Sequence, residues 1–241
     1  MISLLPVEGL PEIEPGADLG ALLADATRFE DGDVLVVAQK AVSKAEGRVV
    51  RLADVRPGEQ AVELAGADGD PRHLQVILDE TVRIVRSRPP LVISETRHGF
   101  VCASAGVDAS NAPEPDALVL LPLDSDVSAR RLRERLGELT GRAVAVIVSD
   151  SFGRPFRQGT TDVALGVAGL APLQDLRGTR DAAGYELRST QIAVADEIAA
   201  AAELVRGKAR GIPAAIVRGL ELGGDGSARE LVMPPERDLF R

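Results

Sequence analysis

The sequence predicts a mixed α/β fold, a mixed sheet flanked by helices. Three observations carry that expectation. Short, wholly apolar runs at Val34–Ala38, Ala117–Leu123, Ala143–Val148 and Ala214–Val217 read as strands buried on both faces. Segments of helical spacing separate them, but a hairpin signal at Arg97-His98-Gly99-Phe100 interrupts the alternation, so the sheet is not cleanly doubly wound. Aromatic residues make up only 2% of the chain and tryptophan is absent, so the core is built from Ala, Val, Leu and Ile.

The elements follow in order. Ile2–Val7 reads as a first strand, and the Gly and Pro residues of Gly9–Gly16 punctuate a loop. Asp18 is placed to cap a helix over Leu19–Thr27, with Leu19, Leu22, Leu23 and Ala26 on one face. Asp31-Gly32-Asp33 turns the chain into the Val34–Ala38 strand, which feeds a polar, lysine-bearing segment, QKAVSKAEGR. Pro57-Gly58 opens a short helix to about Ala65, and Ala67–Pro71 reads as a turn. Apolar residues at Leu74, Ile77, Leu78 and Ile84 suggest a helix over His73–Val85. Pro89-Pro90 breaks the chain before strands at Leu91–Ser94 and Phe100–Ala103, and Ala105–Pro113 reads as loop. Asp126–Thr140 is amphipathic, with Val127, Leu132 and Leu136 on its apolar side. An Ala-rich helix spans Gln191–Lys208, Gly223–Ser227 is a loop, and Pro234–Arg241 reads as coil.

Composition narrows the function. The 241 residues suffice for a substantial core. A net charge of −9 argues against a general binder of nucleic acid or anionic membrane, which needs a basic face. The single cysteine, Cys102, rules out an intramolecular disulfide and a cysteine zinc cluster. The first 16 residues lack the basic and apolar regions of a signal peptide, and no apolar run approaches the ~18 residues that span a bilayer. The expectation is a cytoplasmic protein.

Chemistry concentrates in AVIVSDSFGRPFRQGTTDVALG, residues 145–166. The apolar strand ends in Ser149-Asp150-Ser151, a loop with Arg154 and Arg157 follows, and Thr160-Thr161-Asp162 precedes another apolar stretch. Hard divalent cations take oxygen ligands, and arginines offset oxyanion charge. Asp108 and Asp150 are therefore candidate metal ligands, against an ordinary role as turn formers or caps. Lys40 and Lys44 could reach a phosphate or simply face solvent. Arg154 and Arg157 could enclose one carboxylate or phosphate, or form surface ion pairs. His73 and His98 have no neighbouring ligand residues in sequence, and Cys102 reads as core. Neither a dinucleotide fingerprint nor a P-loop is present.

Six runs, in order, resemble the coenzyme F420:L-glutamate ligase (F420-0:γ-glutamyl ligase) family: LPVEGLPEIEPGADL, DGDVLVVAQKAVSKAEGR, ASAGVDASNAP, VSDSFGRPFRQGTTDVALG, GTRDAAGYEL, and VADEIAAAAELVRGK with PAAIVRGL. The resemblance implies one ligase domain over residues 1–241, without the C-terminal nitroreductase-like domain some relatives add. It implies the family's own mixed α/β fold and an intertwined homodimer. The implied reaction adds L-glutamate to coenzyme F420-0, then a further γ-linked glutamate, through an acyl phosphate formed with GTP. Two divalent ions, Mg²⁺ or Mn²⁺, and a K⁺ ion are the implied cofactors. By position, Leu10, Pro11, Glu12, Ile13, Gln39, Lys44 and Asn111 resemble nucleotide contacts, and Asp108, Asp150 and Ser151 resemble metal ligands. Many relatives carry Ser at the position of Gln39 and Thr at that of Ser151. Leu204–Lys208 resembles a further nucleotide-proximal segment, in which Lys208 is not counted as a ligand. Asp108, Asp150, Arg154 and Arg157 are the candidate catalytic residues, the arginines for binding the acidic acceptor or the phosphodiester. A metal-dependent nucleotide phosphohydrolase and a non-catalytic nucleotide-binding regulator are the competing readings.

Overall fold

The computed structural model describes residues 1–239. The chain opens with β1 (Ser3–Val7) and α1 (Leu19–Ala26), and β2 (Val34–Ala38) then runs directly into α2 (Gln39–Ala45). An excursion follows through β3 (Val49–Arg51), α3 (Glu59–Ala65), α4 (Pro71–Asp79), β4 (Thr81–Arg88), β5 (Leu91–Thr96), β6 (Val101–Ala103) and β7 (Ala117–Val119). The chain returns by α5 (Ser125–Thr140) to β8 (Ala145–Gly153) and β9 (Thr160–Ala168). A ribbon of β10 (Gln174–Asp175) and β11 (Gln191–Ile192) precedes α6 (Val194–Arg206) and β12 (Ala214–Arg218).

The main sheet has the order β1-β12-β2-β8-β9. Only β2 and β8 run parallel; the other three pairs are antiparallel. Side chains alternate across the sheet and build two cores. Leu35, Val37, Val146, Val148 and Ile216 pack with Leu19 and Leu23 of α1 and Leu132 and Leu136 of α5. On the opposite face Val34, Val36, Ile147, Ala215 and Val217 meet Ala195, Ile198, Ala199 and Ala202 of α6. The expected mixed α/β class is therefore observed, as a sheet between helical layers. Gly166 lets β9 meet the start of α5: a Cβ there would lie 2.0 Å from the Ser125 carbonyl oxygen. Leu52, Ala61, Leu74, Ile77, Val92, Leu118 and Leu120 form a third core within the excursion.

Local chemistry explains the boundaries. Asp18 caps α1 as expected, accepting from the Ala21 N–H at 3.0 Å, and Asp124 caps α5 through the Val127 N–H. The helix expected over His73–Val85 starts at Pro71, capped by Asp70, and stops at Asp79. Thr81–Arg88 is instead a strand paired with β5: its β-branched residues suit a pleated surface, and Pro89-Pro90 follows it. The QKAVSKA segment is helical, the strand at 117 is shorter than expected, and the Ala-rich helix runs only over Val194–Arg206. The coil read over Pro234–Arg241 contains a 3₁₀ turn at Pro235–Arg237, and Phe240 and Arg241 lie outside the described residues. No helix among the described residues is long and apolar enough to cross a membrane.

The largest correction concerns Ser149-Asp150-Ser151. These residues do not end the strand: β8 continues to Gly153 because β9 supplies a partner for every one of them. The register shifts between Val148 and Ser149, so a bulge separates the buried half of β8 from its polar half.

Candidate functional site

Parallel strands deliver their C-terminal ends to the same edge of a sheet, and that edge is where open α/β sheets form crevices. Ala38 of β2 pairs with Ser149 of β8, so the polar half of β8 emerges beside the start of α2. A cleft of about 220 Å³ opens there. Leu10, Pro11, Glu12 and Ile13 of the N-terminal loop form one wall, and Gln39, Lys40 and Lys44 of α2 a second. Asn111, then Ser149, Asp150 and Ser151 of β8 and Asp162 of β9, form the floor, and Glu203, Arg206 and Lys208 close the far side. Nine of the ten residues given as nucleotide contacts or metal ligands meet here, Leu10, Pro11, Glu12, Ile13, Gln39, Lys44, Asn111, Asp150 and Ser151, and Lys40 joins them.

Asp108 stands just outside the lining and joins the site through Lys40. The Lys40 ammonium donates to Asp108 Oδ2 at 2.5 Å and to Ser110 Oγ at 2.6 Å. Burial disfavours the Asp108 anion, but the hydrogen bonds from Lys40 and Ser110 outweigh it and hold the carboxyl below the usual range. Asp150 behaves oppositely. Burial pushes its carboxyl up to about 7, with the charges of Asp162 and Asp108 adding to the rise and the Ser151 N–H and Lys40 opposing it. Lys44 pairs with Glu12 across the mouth of the cleft.

A buried polar network was not anticipated. Asp162 accepts hydrogen bonds from Ser149 Oγ at 3.0 Å, Ser151 Oγ at 2.7 Å and the Arg206 guanidinium. Arg206 is 2% exposed, and the same Nη2 donates to Ser149 Oγ at 2.9 Å. Its Nε and Nη1 are buried with no protein acceptor. Gln39 is in the same state: its Oε1 accepts from Ser43 Oγ at 2.9 Å, and its Nε2 has no partner. The sequence did contain a signal for Arg206. Ala195, Ile198, Ala199 and Ala202 form a helical apolar stripe, and the next position on it is an arginine.

Arg154 and Arg157 are placed elsewhere, on the tip of the β8–β9 hairpin. Arg154 Nη2 donates to the Gln158 carbonyl at 2.6 Å, Arg157 is exposed, and neither lines the cleft. Cys102 is buried, and desolvation, reinforced by the charge of Asp150, pushes its thiol up to about 12.

The donor set suits a hard cation. Asp108, Asp150 and the Ser151 hydroxyl are oxygen donors, and a desolvated carboxylate near two others is stabilised by a divalent charge. Among the described residues no group of three or more His, Cys, Asp or Glu side chains could hold a metal. A cation here therefore draws on the serine hydroxyl beside the two carboxylates, with waters or the oxygens of a bound ligand completing its shell, as Mg²⁺ commonly keeps waters and phosphates.

The profile of the F420-0:Gamma-glutamyl ligase family matches residues 9–219. The chain belongs to this family. Full-length similarity agrees. The coenzyme F420:L-glutamate ligase of Methanothermobacter thermautotrophicus is 46% identical over 250 residues, covering 100% of this chain and 99% of that one. That of Methanopyrus kandleri is 47% identical over 247 residues, covering 98% of each chain. That of Archaeoglobus fulgidus is 46% identical over 242 residues, covering 100% and 96%.

Proposed function

We propose that this family member is a GTP-dependent coenzyme F420-0:L-glutamate ligase. One observation carries the reading: Gln39, Lys40, Lys44 and Arg206 line one cleft together with Asp150 and Ser151, and Lys40 ties Asp108 to it. Cationic side chains offset the charge of an anionic ligand, and carboxylate and hydroxyl oxygens hold a hard cation. A triphosphate bound with a divalent ion meets both demands.

The chemistry follows from what a carboxylate lacks. It is a poor acyl donor, so its oxygen first attacks the γ-phosphorus of GTP and GDP leaves. The glutamate amine then attacks the acyl carbon, loses a proton, and inorganic phosphate departs. In this reading Leu10–Ile13, Gln39, Lys44 and Asn111 hold the nucleotide, and Arg206 and Lys40 offset phosphate charge. Asp108, Asp150 and Ser151 hold the divalent ions. When bound, Mg²⁺ or Mn²⁺ supplies charge stabilisation at the transferring phosphoryl group. Arg154 and Arg157 are assigned to the acidic acceptor. A K⁺ ion and a homodimer belong to the same proposal, the dimer being read by light scattering on a sizing column.

The test is incubation with F420-0, GTP, L-glutamate and Mn²⁺, followed by mass spectrometry. The expected product is heavier by one glutamyl residue, with GDP formed in step. GTP hydrolysis that ignores acceptor and glutamate overturns the ligase in favour of a phosphohydrolase. Nucleotide binding without turnover leaves the regulator.

A further inference from the structure

The register of β8 and β9 sets Asp162 opposite Ser151. Asp162 is 4% exposed, and its two oxygens are divided between partners. Oδ2 takes the Arg206 guanidinium and Ser149 Oγ, whereas Oδ1 takes Ser151 Oγ at 2.7 Å. A serine hydroxyl has one hydrogen and two lone pairs. Ser151 commits its hydrogen to Asp162, so its oxygen offers only acceptor capacity to the cleft it lines.

We propose that Asp162 is a positioning residue: by taking the Ser151 hydrogen it turns the Oγ lone pairs toward a divalent cation held beside Asp150. The inference rests on the ligase reading only through that cation. Carboxylates that orient a metal ligand from behind are a general feature of metal sites, and their loss typically weakens metal binding 10–100-fold. Arg206 makes the effect directional. In an Asp162→Asn variant, the guanidinium draws the amide oxygen to the Oδ2 side. The amide NH₂ then faces Ser151 and donates to the lone pairs that the cation needs.

The test is a double-mutant cycle on Mn²⁺ binding, read without nucleotide by the electron paramagnetic resonance signal of free Mn²⁺. Four full-length proteins are compared: wild type, Ser151→Ala, Asp162→Asn and the double variant. Each single change is expected to weaken Mn²⁺ about 10–100-fold. Because Asp162 acts through Ser151, the double variant is expected to match Ser151→Ala within about twofold. Ser151→Thr, which keeps the hydroxyl, is expected to restore the binding that Ser151→Ala loses. Should Asp162→Asn fail to fold by circular dichroism, Asp162→Glu keeps a partner for Arg206 and takes its place in the cycle. Additive losses, unchanged affinity in a folded Asp162 variant, or a wild type that binds no Mn²⁺ overturn the assignment. A wild type that binds Mn²⁺ but adds no glutamate sinks the ligase reading alone and leaves the cycle valid.

Discussion

Lys40 and Asp108 form a direct ion pair, Nζ to Oδ2 at 2.5 Å, although 68 residues separate them. The Lys40 side chain is 14% exposed, which removes the reading of a solvated helix face. The pair places a fixed positive charge where a divalent ion would otherwise stand alone against Asp108. Lys40→Met should therefore leave Mn²⁺ affinity unchanged or tighter, while nucleotide binding and turnover fall about tenfold or more, the scale of a hydrogen bond to a charged group. Calorimetric Mn²⁺ titration and GTP kinetics on the same variant check this. A parallel loss of Mn²⁺ affinity would show that Lys40 serves Asp108's geometry instead.

Asp150→Asn should abolish metal-dependent turnover, by at least about a hundredfold, because an amide cannot supply the anionic ligand. The fold should survive. Asp150 is desolvated and repelled by the charges of Asp108 and Asp162, so a neutral side chain relieves that repulsion in the metal-free protein. Thermal melts without metal are expected to show the variant melting no lower than wild type. Full activity would remove Asp150 from the metal site.

Much of this was legible in the chain because local signals agreed with the tertiary result. The apolar run Val34–Ala38 and the Asp18 cap needed no knowledge of partners, and nine proposed site residues meet in one cleft. Errors arose where a partner decided the outcome. Ile84 continued a helical spacing from Leu74 and Ile77, yet Thr81–Arg88 is a strand because β5 pairs with it. Ser149-Asp150-Ser151 looked like the end of a strand because polar residues on a strand become intelligible only beside a second one, here β9. The Asp162–Arg206 pair was beyond sequence spacing altogether, since its members stand 44 positions apart.

Arg157 stands exposed on the hairpin tip rather than in the cleft, and this separates two roles. If it contacts the acidic acceptor, Arg157→Ala should raise the KM for F420-0 several-fold and leave the KM for GTP unchanged. Initial rates with each substrate varied in turn distinguish the outcomes. An effect on GTP alone would reassign the hairpin to the nucleotide, and no effect on either would place Arg157 among ordinary surface charges.

Cys102 has 8% exposure and a thiol pushed up to about 12 by burial, so almost no thiolate exists at neutral pH. A thiol reagent such as 5,5′-dithiobis(2-nitrobenzoic acid) should react slowly with native protein. In denaturant it should react rapidly, with one thiol per chain. Fast labelling of the native protein would mean that β6 opens readily.

His98 supplies a pH signature distinct from the cleft. Its Nε2 lies 2.9 Å from the Pro122 carbonyl oxygen and 3.1 Å from that of Leu123, so this nitrogen carries the hydrogen and donates. Burial lowers its pKa below the usual value, and the two carbonyls only partly oppose that. As pH falls, the unfolded chain takes up the proton first. The stability His98 contributes is thus present above about 6.5 and lost as pH drops through the folded value. Between about pH 7.5 and 5, wild type should lose more Tm than a His98→Gln variant, even though the variant starts lower for want of the hydrogen bonds. Parallel slopes for the two proteins would mean that His98 titrates alike in the folded and unfolded chain.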